Sequence, residues 1–150
     1  MRRKDRLLSN DEMLSILEKG EFGMLSTVSS SNEPYGVPLN YCFIDQTIYF
    51  HCALEGEKLN NIEKNSSVSF CVVCGTRLQP EKFSTKYESC IVQGSATEVF
   101  NEEKQLALEG LVKKYSNEFQ AQGADYIRKA QHKTRVMKIV PRSISGKAKR

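Results

Sequence analysis

Tyr87-Glu88-Ser89-Cys90-Ile91-Val92-Gln93-Gly94-Ser95-Ala96-Thr97-Glu98-Val99 is the stretch on which the fold turns. It is long for one straight strand, and Gly94 stands inside it. Glycine within a strand marks a bulge or a bend, and antiparallel sheets turn their corners at such positions when they close into barrels. A barrel corner is therefore expected at Gly94.

The neighbouring segments agree with that reading. Before the stretch, Ser67 to Cys74 is an apolar run of the length of a buried strand, followed by a polar loop from Gly75 to Thr85 that contains Pro80. After it, Asn101 is placed to cap a helix with Glu102 and Glu103 in its first turn. Leu106, Leu108, Leu111 and Val112 give that helix an apolar stripe, and Lys113-Lys114 suits its C-terminal end. A less apolar helix is expected over Ala124 to Ala130. The alternation of Thr134 to Val140 then predicts a last strand, stopped by Pro141 and followed by a basic tail.

Upstream, Ser9 and Glu12 form a capping box before Met13, Leu14, Ile16 and Leu17, and Gly20 closes that helix. Phe22 to Ser29 reads as a strand. Pro34 to Phe43 reads as an unusual one, because Pro34 and Pro38 cannot donate to a ladder and Gly36 permits close approach. A short reversal at Ile44 to Thr47 leads into Ile48 to Cys52, so Asn40-Tyr41 and His51-Cys52 are expected to be neighbours. In sum, one domain spans residues 1–150: six strands, mostly in meander order, form a mainly β, antiparallel closed or split barrel with peripheral helices.

Composition narrows the functions. The chain is 39% hydrophobic and 27% charged, as in a globular domain, and it has no apolar run long enough for a membrane span. The N-terminus lacks the apolar core of a secretory signal, so a cytoplasmic location is expected. Each of the five cysteines lies in a strand-like segment and reads as a reduced core thiol. Cys71 and Cys74 have C-x-x-C spacing, but in a strand they point to opposite faces, against a metal or a disulfide. The net charge of +4 gathers at Arg2-Arg3-Lys4 and at Lys147, Lys149 and Arg150, which read as solvated tails; no nucleic-acid-binding fold accompanies them.

The candidate site is Tyr49 to Ile62, YFHCALEGEKLNNI. A strand ends, Gly56 breaks it, and a short helix from Glu57 to Lys64 opens with Lys58 in its first turn. Free backbone N–H groups, the positive end of a helix dipole and an ammonium meet there, a combination suited to phosphate.

The blocks MRRKDR, PYGVPLNY, IYFHCALEGEKLNNI, YESCIVQGSATEV and ISGK, in that order, resemble the nitroimidazole-resistance branch of the pyridoxamine-phosphate-oxidase-like flavoproteins. The resemblance covers nearly the whole chain. It implies a Greek-key split barrel that forms a homodimer with FMN in clefts at the subunit interface. By position, Pro38, Leu39, Asn40 and Tyr41 would run along the isoalloxazine edge, with backbone groups of Asn40 and Tyr41 at its pyrimidine end. His51, Cys52 and Ala53 would line the ring and ribityl chain, Gly56 and Lys58 would hold the phosphate, and Asn61 would assist at the phosphate or ribityl. Tyr87, Glu88 and Ser89 would approach the flavin from the partner subunit. The arginine that the oxidases themselves carry in the strand matching Val37 to Cys42 is missing, which argues against pyridoxamine-phosphate oxidation.

What the resemblance implies is an FMN-dependent oxidoreductase. Electrons would come from NAD(P)H or another donor and pass to a small acceptor, with His51 either a proton donor or a non-chemical contact. The alternative is a protein that binds flavin, or haem, without turnover.

Overall fold

The computed structural model describes residues 4–150. A single antiparallel sheet carries seven strands: β1 (Gly23–Val28), β2 (Pro34–Leu39), β3 (Cys42–Ile44), β4 (Thr47–Cys52), β5 (Ser67–Gln79), β6 (Ser84–Val99) and β7 (Arg135–Lys149). Four helices surround it: α1 (Asn10–Lys19), α2 (Glu57–Lys64), α3 (Asn101–Tyr115) and α4 (Gln120–Ala130).

The strands lie in the order β2-β1-β5-β6-β7-β4-β3. The two edge strands, β2 and β3, are consecutive in sequence and joined only by Asn40 and Tyr41. A chain can step from one edge of a sheet to the other in two residues only if the sheet curls until its edges meet, and the result is a split barrel. The expected Pro34–Phe43 strand is thus two strands, which makes seven in place of six. The order also departs from a meander, since the β3–β4 hairpin crosses to the far edge before β5 returns beside β1.

The bend at Gly94 is present: the β6–β7 register shifts between Gln93 and Gly94. A Cβ there would lie 2.4 Å from the Val140 carbonyl oxygen, so only glycine lets the strands approach so closely. Pro141 does not stop β7. It pairs with Gly94 at the irregularity, where a residue without an N–H is tolerated, and the strand continues to Lys149. The expected basic C-terminal tail is therefore strand, with Lys149 bonded to Ser84 and Arg150 paired with Glu12 and Glu88. Arg2 and Arg3 lie outside the described residues. The expected polar loop after Gly75 is largely strand too, because β5 and β6 pair as far as Gln79 and Ser84.

Within the barrel, Leu25, Tyr41, Ile48, Phe50, Phe70, Val72, Val92 and Ile139 form the main core, closed at one side by Ile16 and Leu17 of α1. The α1 capping box is formed from both directions, Ser9 to Glu12 and back. A second core of Tyr49, Val99, Ala107, Leu111, Ile127 and Val136 fixes α3 and α4 against the outer face of β4 and β7. The α3 cap is Phe100, not Asn101, which is the first helical residue.

The seam between β2 and β3 is sealed by one side chain of α3. The Tyr115 hydroxyl accepts the Tyr41 N–H at 3.0 Å and donates to the Glu21 carbonyl at 2.6 Å, with the Tyr41 carbonyl also 3.0 Å away. Tyr41 turns inward, its hydroxyl donating to the Leu17 carbonyl at 2.7 Å.

Candidate flavin site

The end of β4 and the start of α2 build the candidate site. Gly56 is the α2 N-cap and has φ +149°, a backbone conformation that side-chain-bearing residues rarely adopt. Its carbonyl accepts from Leu59 and Asn60 at 2.9 and 3.2 Å, closing the first turn. Among the described residues no side chain caps this end, and a Cβ on Gly56 would meet nothing within 4 Å. The first amides of a helix have no intrahelical acceptor, so the N–H groups of Glu57 and Lys58 are left for solvent or a ligand. Helix α2 is anchored from below by Asn61, which is 3% exposed and donates to the Thr27 hydroxyl at 3.0 Å. The Asn61 amide therefore serves the barrel wall.

His51 and Cys52 alternate across β4. Cys52 faces the core, and burial pushes its thiol up, against the pull of Lys58 and Arg135. His51 points outward, and its imidazole makes no hydrogen bond among the described residues. Its imidazole is held below the usual histidine value, first by the loss of solvent around the ring and then by the Lys58 ammonium. Ala53 is exposed beyond it.

Across from His51 lies Asn40, exposed in the short link between β2 and β3. The two residues, expected to be neighbours, share a cleft of about 440 Å³ whose other walls come from α3 and α4. Of the remaining edge residues, Pro38 is exposed opposite Met24, and Leu39 packs partly into the core. The Tyr41 N–H is already engaged by Tyr115, which leaves Asn40 as the open member of that pair.

Tyr87, Glu88 and Ser89 stand elsewhere. Cys52 pairs with Arg135, the first residue of β7, whereas Tyr87 pairs with Lys149, near the end of the chain. Within one chain, then, these residues lie at opposite ends of β7. Glu88 is held by Lys19 and Arg150, which keep its carboxyl below the ordinary range. The Ser89 hydroxyl donates to the Lys147 carbonyl at 3.4 Å, and the Lys147 ammonium lies 5.6 Å from the Tyr87 ring centre.

Two groups near the site were not singled out by the sequence. Arg135 bonds Glu98 through Nε and Nη2 at 3.0 and 2.6 Å and reaches the Leu54 carbonyl at 3.5 Å, tying down the turn that leads to Gly56. Phe119 and Tyr126 of the α3–α4 region wall the cleft. Neither placement has a local signal, because each depends on which distant segments pair or pack. Among the described residues no cluster of side chains could hold a metal ion, all five cysteines are free, and no helix is long and apolar enough to cross a membrane.

Solved structures share this fold. A protein from Bacteroides thetaiotaomicron provisionally assigned to 5-nitroimidazole antibiotic resistance is 21% identical with a TM-score of 0.77, over 95% of this chain and 86% of that one. A conserved hypothetical protein from Mycobacterium tuberculosis is 18% identical with a TM-score of 0.84, over 99% and 89%. An FAD and heme binding protein from Mycobacterium smegmatis is 16% identical with a TM-score of 0.79, over 93% and 71%. No curated protein matches the sequence. The pyridoxamine 5'-phosphate oxidase family profile matches residues 9–148, nearly the full length, and the chain belongs to that family.

Proposed function

We propose that this protein binds FMN at the β4–α2 junction and acts as an FMN-dependent oxidoreductase on a small acceptor. The observation that carries the reading is the uncapped, open N-terminus of α2 at Gly56 with Lys58 in its first turn, in a chain of this family. FMN ends in a phosphate of about −1.5 to −2 charges, and such a group matches amide donors, a helix dipole and an ammonium in one place. The flavin, when bound, supplies the hydride and electron chemistry. The chain supplies the rest. Lys58 and the first α2 amides hold the phosphate, Asn40 offers polar contacts to the ring edge, and α3 with α4 keeps water from one side. With its value lowered, His51 is neutral near neutral pH and offers a hydrogen bond more readily than a proton.

A homodimer fits the outer face of the barrel. The cross-strand row Pro38–Met24–Cys71–Ile91 runs over β2, β1, β5 and β6, with Met24 41% and Ile91 38% exposed. Beyond it the β5–β6 hairpin carries Leu78 and Phe83, 74% and 100% exposed. Apolar surface so arranged suits a second copy of the chain, which would bring its Tyr87–Ser89 end toward the first chain's site.

The test is direct. Purified protein should be yellow, release FMN rather than FAD as identified by mass spectrometry, and lose its flavin band anaerobically with NADH or NADPH. A yellow protein that neither donor reduces supports the second reading, flavin binding without turnover; one structure of similar fold is that of an FAD and heme binding protein. A colourless protein that takes up no added FMN overturns both.

A further inference from the structure

The cleft that contains Asn40 and His51 does not end at the residues assigned to the flavin. It continues between α3 and α4, where Phe119 is 57% and Tyr126 71% exposed, with the Leu111 and Val112 side chains as its floor. A single exposed ring is ordinary, but these two stand on one cleft, and apolar surface gathered at a groove marks a binding site. The cleft exists because α4 approaches α3 closely: a Cβ on Gly123 would lie 2.3 Å from a Val112 methyl carbon. Behind it, a second cavity of about 120 Å³ shares His51, Leu111, Val112 and Tyr126 and is otherwise walled by the apolar Leu108, Ile127 and Ala130 and by the polar Gln131 and Thr134.

Two properties define what fits. Among the described residues the polar groups of the main cleft are Asn40, His51, Ser116, Gln122 and the Tyr126 hydroxyl, the Tyr115 hydroxyl being engaged at the seam, and no Lys, Arg, Asp or Glu lines its wall. A charged guest would lose its hydration without a counter-ion, a cost that a neutral guest escapes. The flanking rings favour a flat π-system, which can stack on them or meet them edge to face.

We propose that this cleft seats the acceptor: a neutral, flat aromatic molecule lying between Phe119 and Tyr126, its polar edge toward Asn40 and His51 and any small apolar substituent toward the inner cavity. Phe119 and Tyr126 are then the specificity-determining residues. The proposal rests on the flavin reading for its word acceptor, because Asn40 and His51 belong both to the cleft and to the expected flavin contacts.

Equilibrium dialysis with two rings of matched shape tests it, 4-nitrotoluene and 4-nitrobenzoate, using the protein as purified. The neutral ring should bind at least about tenfold more tightly than the anionic one, given the price of stripping water from an unpaired carboxylate. Phe119→Ala and Tyr126→Ala should each weaken 4-nitrotoluene by about fivefold, and Phe119→Leu by less, with unchanged flavin content. Phe100→Ala, which removes an exposed ring outside the cleft, should change nothing. Equal binding of the two probes, or insensitivity to both alanine variants, overturns the proposal. Loss of flavin from Phe119→Ala or Tyr126→Ala also overturns it, since the cleft would then be the flavin's own seat. A colourless protein sinks the flavin reading alone, and the dialysis still reports on the cleft.

Discussion

The two ends of β7 differ in how many polar groups they leave without partners. At its far end, Glu88 is gripped by Lys19 and Arg150, Ser89 bonds a backbone carbonyl, and Lys147 stands against Tyr87. At its near end Arg135 is gripped by Glu98, but beside it the His51 imidazole makes no hydrogen bond among the described residues, Gly56 opens to empty space, and no described side chain caps α2. Satisfied networks hold a fold in shape, whereas groups left without partners are what a ligand can use. Within one chain the contrast marks the α2 end as the one open to a ligand, without appeal to any relative.

The contrast breaks most visibly through Lys58→Glu, which turns an ammonium beside the expected phosphate into a carboxylate. FMN affinity should fall by at least about a hundredfold, the scale seen when a partner of a close charge pair is removed, so that FMN separates from an intact fold on gel filtration. Unchanged flavin content would place the phosphate elsewhere.

Tyr115→Phe probes the opposite case, a polar group wholly occupied by structure. It strands the Tyr41 N–H and the Glu21 carbonyl at the seam, a loss of about 1–3 kcal/mol that urea unfolding should register, while flavin content is retained.

Lys114 sharpens the comparison, because its ammonium is buried without a hydrogen bond among the described residues, 3.7 Å above the Tyr41 ring. Burial lowers it to about 8, against the opposing pull of Cys42. Between about pH 8 and the ordinary lysine value the unfolded chain binds the proton that the folded chain has released, so stability rises with pH there. The buried Cys42 thiol, pushed up to about 11, acts with the opposite sign once unfolded thiols ionise, near 9. Unfolding midpoints should therefore climb from about pH 8 to 9, and Lys114→Met should abolish the climb. A variant that keeps it would assign the effect to another group.

Glu88→Gln should do least, about 1 kcal/mol or less at neutral pH, as for partly exposed ion pairs. Its carboxyl is depressed, so its contribution is present above the ordinary carboxylate value of 4.5 and lost as pH falls through the folded one. The variant should flatten that acid limb.

Much of this was legible locally. The capping box, the Glu57–Lys64 helix, the bend at Gly94 and the opposed Cys71 and Cys74 follow from short-range rules that depend on a few adjacent residues. What escaped was long-range. Pro141 reads as a stop unless the irregularity at Gly94 is known to lie opposite it, and Asn40-Tyr41 reads as strand interior unless the two sheet edges are known to meet there. At the site, the α2 terminus announced itself through Gly56 and Lys58. Arg135, Phe119 and Tyr126 arrive by tertiary packing and left no mark in the local pattern.

The pairing of β4 has a kinetic side. Its neighbours are β3, made just before it, and β7, the last strand of the chain. During synthesis, the buried face of β4, with Ile48 and Phe50, must wait for Arg135 to Ile139 before its second edge is covered. Contacts so distant in sequence close slowly and leave a strand edge exposed meanwhile, so a nascent chain halted before Arg135 should be readily cut by protease within β3 and β4 and protected there once β7 emerges.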